Sequence, residues 1–240
     1  TTADTNSEEL ISHTSLENLL TPHEVTPPHQ EVTPPSEEED VVLNTKQQKA
    51  FDAVKEGKNI FITGSGGTGK TLLLKKIIDW AKSTRYFQQS QAVSVTSTTG
   101  VSAVLIGGTT LHSFAGIGHG DGDIQEHIKY IRMRKVYRER WRQVRLWIMD
   151  EISMLSPEIF DLLDHVGRAL VNRSLPFGGI QMVFSGDFCQ LPNIDSDCFC
   201  FEATSWNHVV QEVHYLTQIH RQQDVLFQKC LNIRGSLFQK

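Results

Sequence analysis

Apolar positions along this chain fall into short runs that alternate with amphipathic stretches. Ala50, Phe51 and Val54 form an apolar face within a helical segment at 45–56. Residues 59–63 are a short apolar strand, 64–69 a glycine-rich turn and 70–82 an amphipathic helix. A second strand is expected at 92–96, a helix at 100–106, a buried strand at 145–149 and a helix from about 157 to 171. Further strands are expected at 180–185 and 213–216. Strands that alternate with helices imply parallel pairing through crossover helices, an α/β fold of three layers with a mainly parallel sheet.

Composition divides the chain in two. Residues 1–40 hold ten acidic residues, no Lys or Arg, five of the eight prolines and a near-repeat, HEVTPP then HQEVTPP. Such a segment cannot bury enough surface to offset its ordering entropy, so a disordered acidic tail is expected there, followed by one folded domain over 41–240. The formal net charge of -5 comes from this tail, because the remainder carries 23 basic and 18 acidic residues. A mildly basic body suits a polyanionic partner without requiring one. No run of eighteen apolar residues occurs, so no membrane partner is expected. Cys189, Cys198, Cys200 and Cys230 lack paired CxxC spacing, which fits reduced thiols rather than a zinc site.

The turn after the first strand changes the picture most. Gly64-Ser65-Gly66-Gly67-Thr68-Gly69-Lys70-Thr71 satisfies GxxxxGK[ST] in full. Glycines let the backbone curl so that several N–H groups face phosphates, and the following helix adds its positive end. Lys70 would reach the β- and γ-phosphates of ATP, and the Thr71 hydroxyl would ligate magnesium. The same residues fit the dinucleotide pattern GxGxxG, but that site needs an acid about twenty residues on, and none lies between Asp79 and Asp121. The domain is thus expected to be of the P-loop NTPase type. Asp150 and Glu151 end the apolar strand at 145–149, where such enzymes present carboxylates to magnesium and water. Asp150 would bind the metal, and Glu151 would orient or deprotonate the attacking water. Gln190 follows another apolar strand and could sense the γ-phosphate; its position alone favours an ordinary loop residue.

Six segments then resemble one family: LNTKQQKAFDAV (43–54), FITGSGGTGKT (61–71), VTSTTGVSAVLIGGTTLHSFAGIG (95–118), WIMDEISML (147–155), PFGGIQMVFSGDFCQLP (176–192) and LTQIHRQ (216–222). Together they are similar to the petite-integration-frequency (PIF) DNA helicases of superfamily one, relatives of RecD. The resemblance implies a RecA-like domain, ATP and magnesium, and 5′-to-3′ unwinding of DNA with roles in repair, recombination and telomere maintenance. Single-stranded DNA and forks are the implied partners, and the nucleus, or else the mitochondrion, the implied compartment. By position it assigns Gln47 to the adenine edge, Gln190 to the γ-phosphate and Arg221 to charge on that phosphate. It also assigns the 95–118 segment to single-stranded DNA: Thr96, Ser97, Thr98, Gly100, Thr110 and Ser113 suit phosphate contacts, and His112 and Phe114 could stack on bases. Read from spacing alone, Phe114 is equally a core residue and His112 a structural hydrogen-bonder.

Two features stay open. Residues 129–145 hold eight basic residues and one acid, either a phosphate track or the solvated face of a helix. Asn193 stands where the family usually has a second proline after Pro192. The resemblance also implies a monomer with a second RecA-like domain, whereas this chain ends at Lys240. The expectation is weak ATP binding and little unwinding by this polypeptide alone, as a fragment or a truncated paralogue. The competing readings are an ATP- and DNA-binding module without motor activity and a P-loop ATPase acting on protein.

Overall fold

A computed structural model describes residues 42–87, 91–190 and 198–219. The expected tail at 1–40, Pro192 and Asn193, Arg221 and Cys230 lie outside the described residues. The described residues open with α1 (Thr45–Lys55), β1 (Ile60–Thr63), α2 (Lys70–Ser83), β2 (Val93–Ser97) and α3 (Gly100–Leu105). There follow β3 (Thr109–Thr110), α4 (Leu111–Ala115), α5 (Ile124–Met133), α6 (Lys135–Gln143) and β4 (Leu146–Asp150). The last elements are α7 (Pro157–Leu170), β5 (Gln181–Gly186), α8 (Trp206–Val209) and β6 (Glu212–Tyr215).

Among the described residues the six strands form one sheet in the order β3-β2-β4-β5-β1-β6, and every pairing is parallel. Alternation along each strand explains the three layers. Ile60 and Ile62, Leu146 and Ile148, and Val183 face one core with Leu73, Leu74 and Ile77 of α2. Phe61, Trp147 and Met149, and Met182 and Phe184 face a second core with Phe114, Trp141 and Phe160. Both faces are covered, which is why these strands read as continuous apolar runs.

The helices between α4 and β4 were not foreseen as separate elements. Ile124, Ile128 and Ile131 put an apolar stripe on α5, of which Ile128 and Ile131 are buried. Trp141 anchors α6 and donates from its indole nitrogen to the Ala115 carbonyl at 3.0 Å. After α7, the Asp164 carboxylate accepts from Phe177 N and from Arg168 Nε, each at 2.7 Å, which pins a tight turn against the helix. None of the helices in the described residues is long and apolar enough to cross a membrane.

Candidate nucleotide site

Three adjacent strands, β4, β5 and β1, deliver their C-terminal ends to one place. β1 runs into the glycine loop, which feeds α2. Gly64 has φ +146°, and a Cβ there would sit 2.3 Å from the Leu216 carbonyl oxygen, so no side chain fits. Thr68 is buried and donates its hydroxyl to the Ser65 carbonyl at 2.8 Å, which closes the loop on itself. Ser65 and Thr68, expected to touch ATP, are buried, and the Thr68 amide donates to the Ser65 carbonyl at 3.3 Å, so both shape the loop from within. Lys70 Nζ donates to the Gly64 and Ser65 carbonyls. Burial lowers its pKa, opposed by the nearby Asp187, Glu151 and Asp150 carboxylates.

Gly66, Gly67, Gly69, Lys70, Thr71, Glu151 and Gln190 line a cavity of about 490 Å³. Asp150 lies at the end of β4 and is 6% exposed. Burial raises its pKa, while the Glu151 amide and the Lys70 charge favour the charged form. Glu151 turns out of the strand with φ 57° and ψ 38°, a left-handed conformation that costs a non-glycine residue free energy. Burial, and then repulsion by Asp150, raise its pKa and so suit it to accept a proton. Asp150 offers a carboxylate and Thr71 a hydroxyl, the oxygen donors that a magnesium ion shared with phosphates takes. Gln190 is exposed and tethered: its Nε2 donates to Asp187 Oδ2 at 3.0 Å, and a Cβ at Gly66 would lie 3.7 Å from that nitrogen. The side chain thus hangs over the glycine loop.

Asp187 was not picked out as a site residue. It is 5% exposed, accepts from Cys189 N at 3.0 Å and holds Gln190 in place. The signal was available, because an Asp that closes a turn on the second residue after it is a common way to end a strand.

Several expected contacts fall elsewhere. Gln47 is 1% exposed. Its Oε1 accepts from Asn44 N at 3.0 Å, and its Nε2 points at the Thr68 and Gly69 carbonyls at 3.4 and 3.5 Å. In this arrangement it braces the loop from behind rather than offering its amide to an adenine edge. Thr96 and Ser97 are buried in β2, so direct DNA contact is corrected to cross-strand bonding. Thr96 Oγ1 donates to the Ile148 carbonyl at 3.2 Å and accepts from Trp147 Nε1 at 2.9 Å. Ser97 Oγ donates to the Asp150 carbonyl at 3.3 Å, and Thr98 Oγ1 to the Glu151 carbonyl at 2.9 Å. The hydroxyl run therefore holds the backbone of the two carboxylate residues. Phe114 is a core residue, with its ring 4.7 Å from that of Trp147, and the stacking role is corrected accordingly. Gly100 and Ser113 are exposed, Thr110 is partly exposed at the start of α4, and His112 is half-buried.

Of the eight basic residues at 129–145, four are tied to backbone carbonyls. Arg132 donates to Ala169, Arg138 to Arg132, Arg140 to Ser113 and Phe114, and Arg145 to Arg142. Lys129, Arg134, Lys135 and Arg142 are exposed. Arg140, one of the basic run, caps the end of α4 from α6.

Known proteins resemble this chain in sequence and fold. The model of the PIF1-like helicase family matches residues 42–232. The ATP-dependent DNA helicase PIF1 of Homo sapiens is 40% identical over 189 residues, covering 77% of this chain and 28% of the relative. An uncharacterized protein 030L of Invertebrate iridescent virus 6 is 41% identical over 202 residues, covering 79% of this chain and 38% of its own length. The chain thus spans less than two fifths of these relatives. The crystal structure of Pif1 helicase from Candida albicans superposes with TM-score 0.76 at 40% identity, over 81% of this chain and 44% of that one. A Bacteroides Pif1 in complex with ADP-AlF3 and ssDNA superposes with TM-score 0.68 at 30% identity, over 82% of this chain and 47% of that one. With the family model spanning nearly all of the sheet, the phosphate loop and the carboxylate strand, this chain belongs to the PIF1-like helicase family.

Proposed function

We propose that the chain is the nucleotide-binding part of an ATP-dependent DNA helicase motor, which couples ATP hydrolysis to movement along single-stranded DNA. The observation that carries this reading is the convergence of Lys70, Thr71, Glu151 and Gln190 on one cavity at the C-terminal edge of a parallel sheet. The ADP-AlF3 and ssDNA held by the Bacteroides Pif1 support it.

In this reading the loop amides and Lys70 bind the β- and γ-phosphates, Lys70 exchanging its own-loop carbonyls for phosphate oxygens. Thr71 and Asp150 would hold a magnesium ion, which would supply positive charge against the phosphates. Glu151 takes the proton of the water that attacks the γ-phosphorus; the bond to the β–γ bridging oxygen breaks, releasing ADP and phosphate. Gln190, held by Asp187, reports on the γ-phosphate, and Arg221 supplies charge to it. The working unit is a monomer in which a second RecA-like domain closes the cleft. Movement in the 5′-to-3′ direction, action on forks, roles in repair, recombination and telomere maintenance, and a nuclear or mitochondrial location are proposed on the family resemblance.

The test is ATP turnover, with and without single-stranded DNA, in a protein that also carries the second RecA-like domain. Turnover should rise with the strand. Glu151→Gln should lower it by about 100- to 10,000-fold while nucleotide still binds, and Lys70→Ala should lose the nucleotide. Full turnover in Glu151→Gln would sink the mechanism. Strand binding without stimulation would favour an ATP- and DNA-binding module without motor activity.

A further inference from the structure

A second cavity, of about 580 Å³, shares no lining residue with the nucleotide site. It lies between the end of α4, the loop that follows it, and α5 and α6. His112, His119, His127, Asp121, Tyr130 and Tyr137 contribute walls. Its size is ordinary for a small-ligand pocket.

The walls are flat rings. Tyr130 on α5 and Tyr137 on α6 have centroids 6.2 Å apart and planes 33° apart. Tyr130 is 44% exposed and so has free ring surface. Tyr137 is seated deeper, against the backbone of Gly116: a Cβ there would fall 2.6 Å from the ring, and φ +74° further restricts the position to glycine. His127 Nε2 lies 2.8 Å from the Asp121 carbonyl, which ties the loop to α5. Burial, aided by His119, lowers the pKa of His112, so this imidazole stays neutral. Cations stand over the rings. The Arg134 guanidinium lies 4.7 Å from the Tyr130 centroid, and that of Arg140 lies 5.6 Å from the Tyr137 centroid. Asp121 and Glu126 are in the lining and the two arginines stand outside it, so an anion is favoured only beyond the cavity, on the arginine side.

We propose that this cavity takes one base of a single strand of nucleic acid, stacked on Tyr130, with the flanking phosphates on Arg134 and Arg140. Rings backed by guanidinium groups are the means by which sequence-tolerant strand binders hold bases. The His112 imidazole and the Tyr137 ring supply the inner wall, and the strand leaves past exposed Ser113, which also lines a neighbouring cavity of about 330 Å³ containing Arg140. The inference rests on the single-strand reading above and adds to it a place where a base is held away from its neighbours.

The experiment is photocrosslinking of the full chain to an oligonucleotide carrying 5-iodouracil in place of thymine, with the modified peptide identified by mass spectrometry. In parallel, strand affinity is measured across salt concentrations for Tyr130→Ala and Tyr130→Phe. The expected result is a crosslink at Tyr130, affinity lowered about tenfold in Tyr130→Ala with an unchanged salt slope, and wild-type affinity in Tyr130→Phe. Strand binding with crosslinks only elsewhere, or with Tyr130→Ala binding as the wild type does, overturns the pocket and leaves the strand reading intact. Crosslinking by free 5-iodouridine monophosphate but not by the strand makes it a mononucleotide site and overturns the proposal. No strand binding at any salt concentration overturns both.

Discussion

The side chains that matter most in this molecule are those whose hydrogen bonds leave no surface to offer. Thr96 looks from the sequence like one more hydroxyl in a polar run, yet it is fully buried between the Trp147 indole and the Ile148 carbonyl. Its partners lie some fifty residues on, and a local pattern carries no information about them. Thr96→Val keeps the shape but leaves the Trp147 N–H without an acceptor. It should cost about 1–3 kcal/mol in denaturant unfolding and leave strand affinity unchanged; a loss of affinity in the folded variant would restore Thr96 to the DNA surface. Lys70, Thr71, Asp150 and Glu151 were legible for the opposite reason. Their chemistry is set by a fixed spacing within one loop or by position at the end of one apolar run, and the structure brings the three loop-facing members to one cavity. Gln190 was legible only through the resemblance, and Asp187 behind it only once the turn was seen.

At the level of elements, the α7–α8 contact shows how a single carboxylate docks a short helix. Asp161 of α7 accepts from Thr204 N and Oγ1 at 3.0 and 2.8 Å and from Ser205 N and Oγ at 2.9 and 2.6 Å. These bonds start α8, whose Trp206 ring sits 5.2 Å from Phe160 and 5.5 Å from Phe61. Burial pushes the Asp161 carboxyl up, but the four hydrogen bonds outweigh it and hold the group below the usual aspartate range. A lowered folded pKa means stability that is present above the unfolded value of about 3.9 and lost as pH falls through the folded one. Asp161→Ala should therefore cost about 1–2 kcal/mol at neutral pH. The gap between variant and wild type should narrow in acid; a gap independent of pH would point to packing instead. Five of the six strands were legible as elements to within a residue or two, because apolar runs bounded by turn residues are a local signal; β3, two threonines in a polar run, was not. α5 and α6 were not separated because charged residues dominate them, although Ile124, Ile128 and Ile131 recur at helical spacing.

For the molecule as a whole, the parallel sheet was legible from the alternation of elements, but its strand order was not, since pairing partners are distant in sequence. The nucleotide site uses loops from three strands, so a ligand there ties the whole sheet together. A non-hydrolysable ATP analogue with magnesium at a hundred times its Kd should add about 2.7 kcal/mol. For a domain of this size that is a rise of about 5–10 °C in Tm. Lys70→Ala should abolish the shift. An equal shift in that variant would place the analogue somewhere other than the glycine loop.

The contact between Gly64 and the Leu216 carbonyl also governs when the phosphate loop can exist. β1 is made early, yet its neighbours in the sheet are β5 and β6, more than a hundred residues downstream. Closing so long a stretch of chain comes late in folding. During synthesis the loop would leave the ribosome without the strands that give it shape, and it would stay unable to hold a triphosphate until β6 had followed it out. Nucleotide capture would then report that this domain has been made through its last strand.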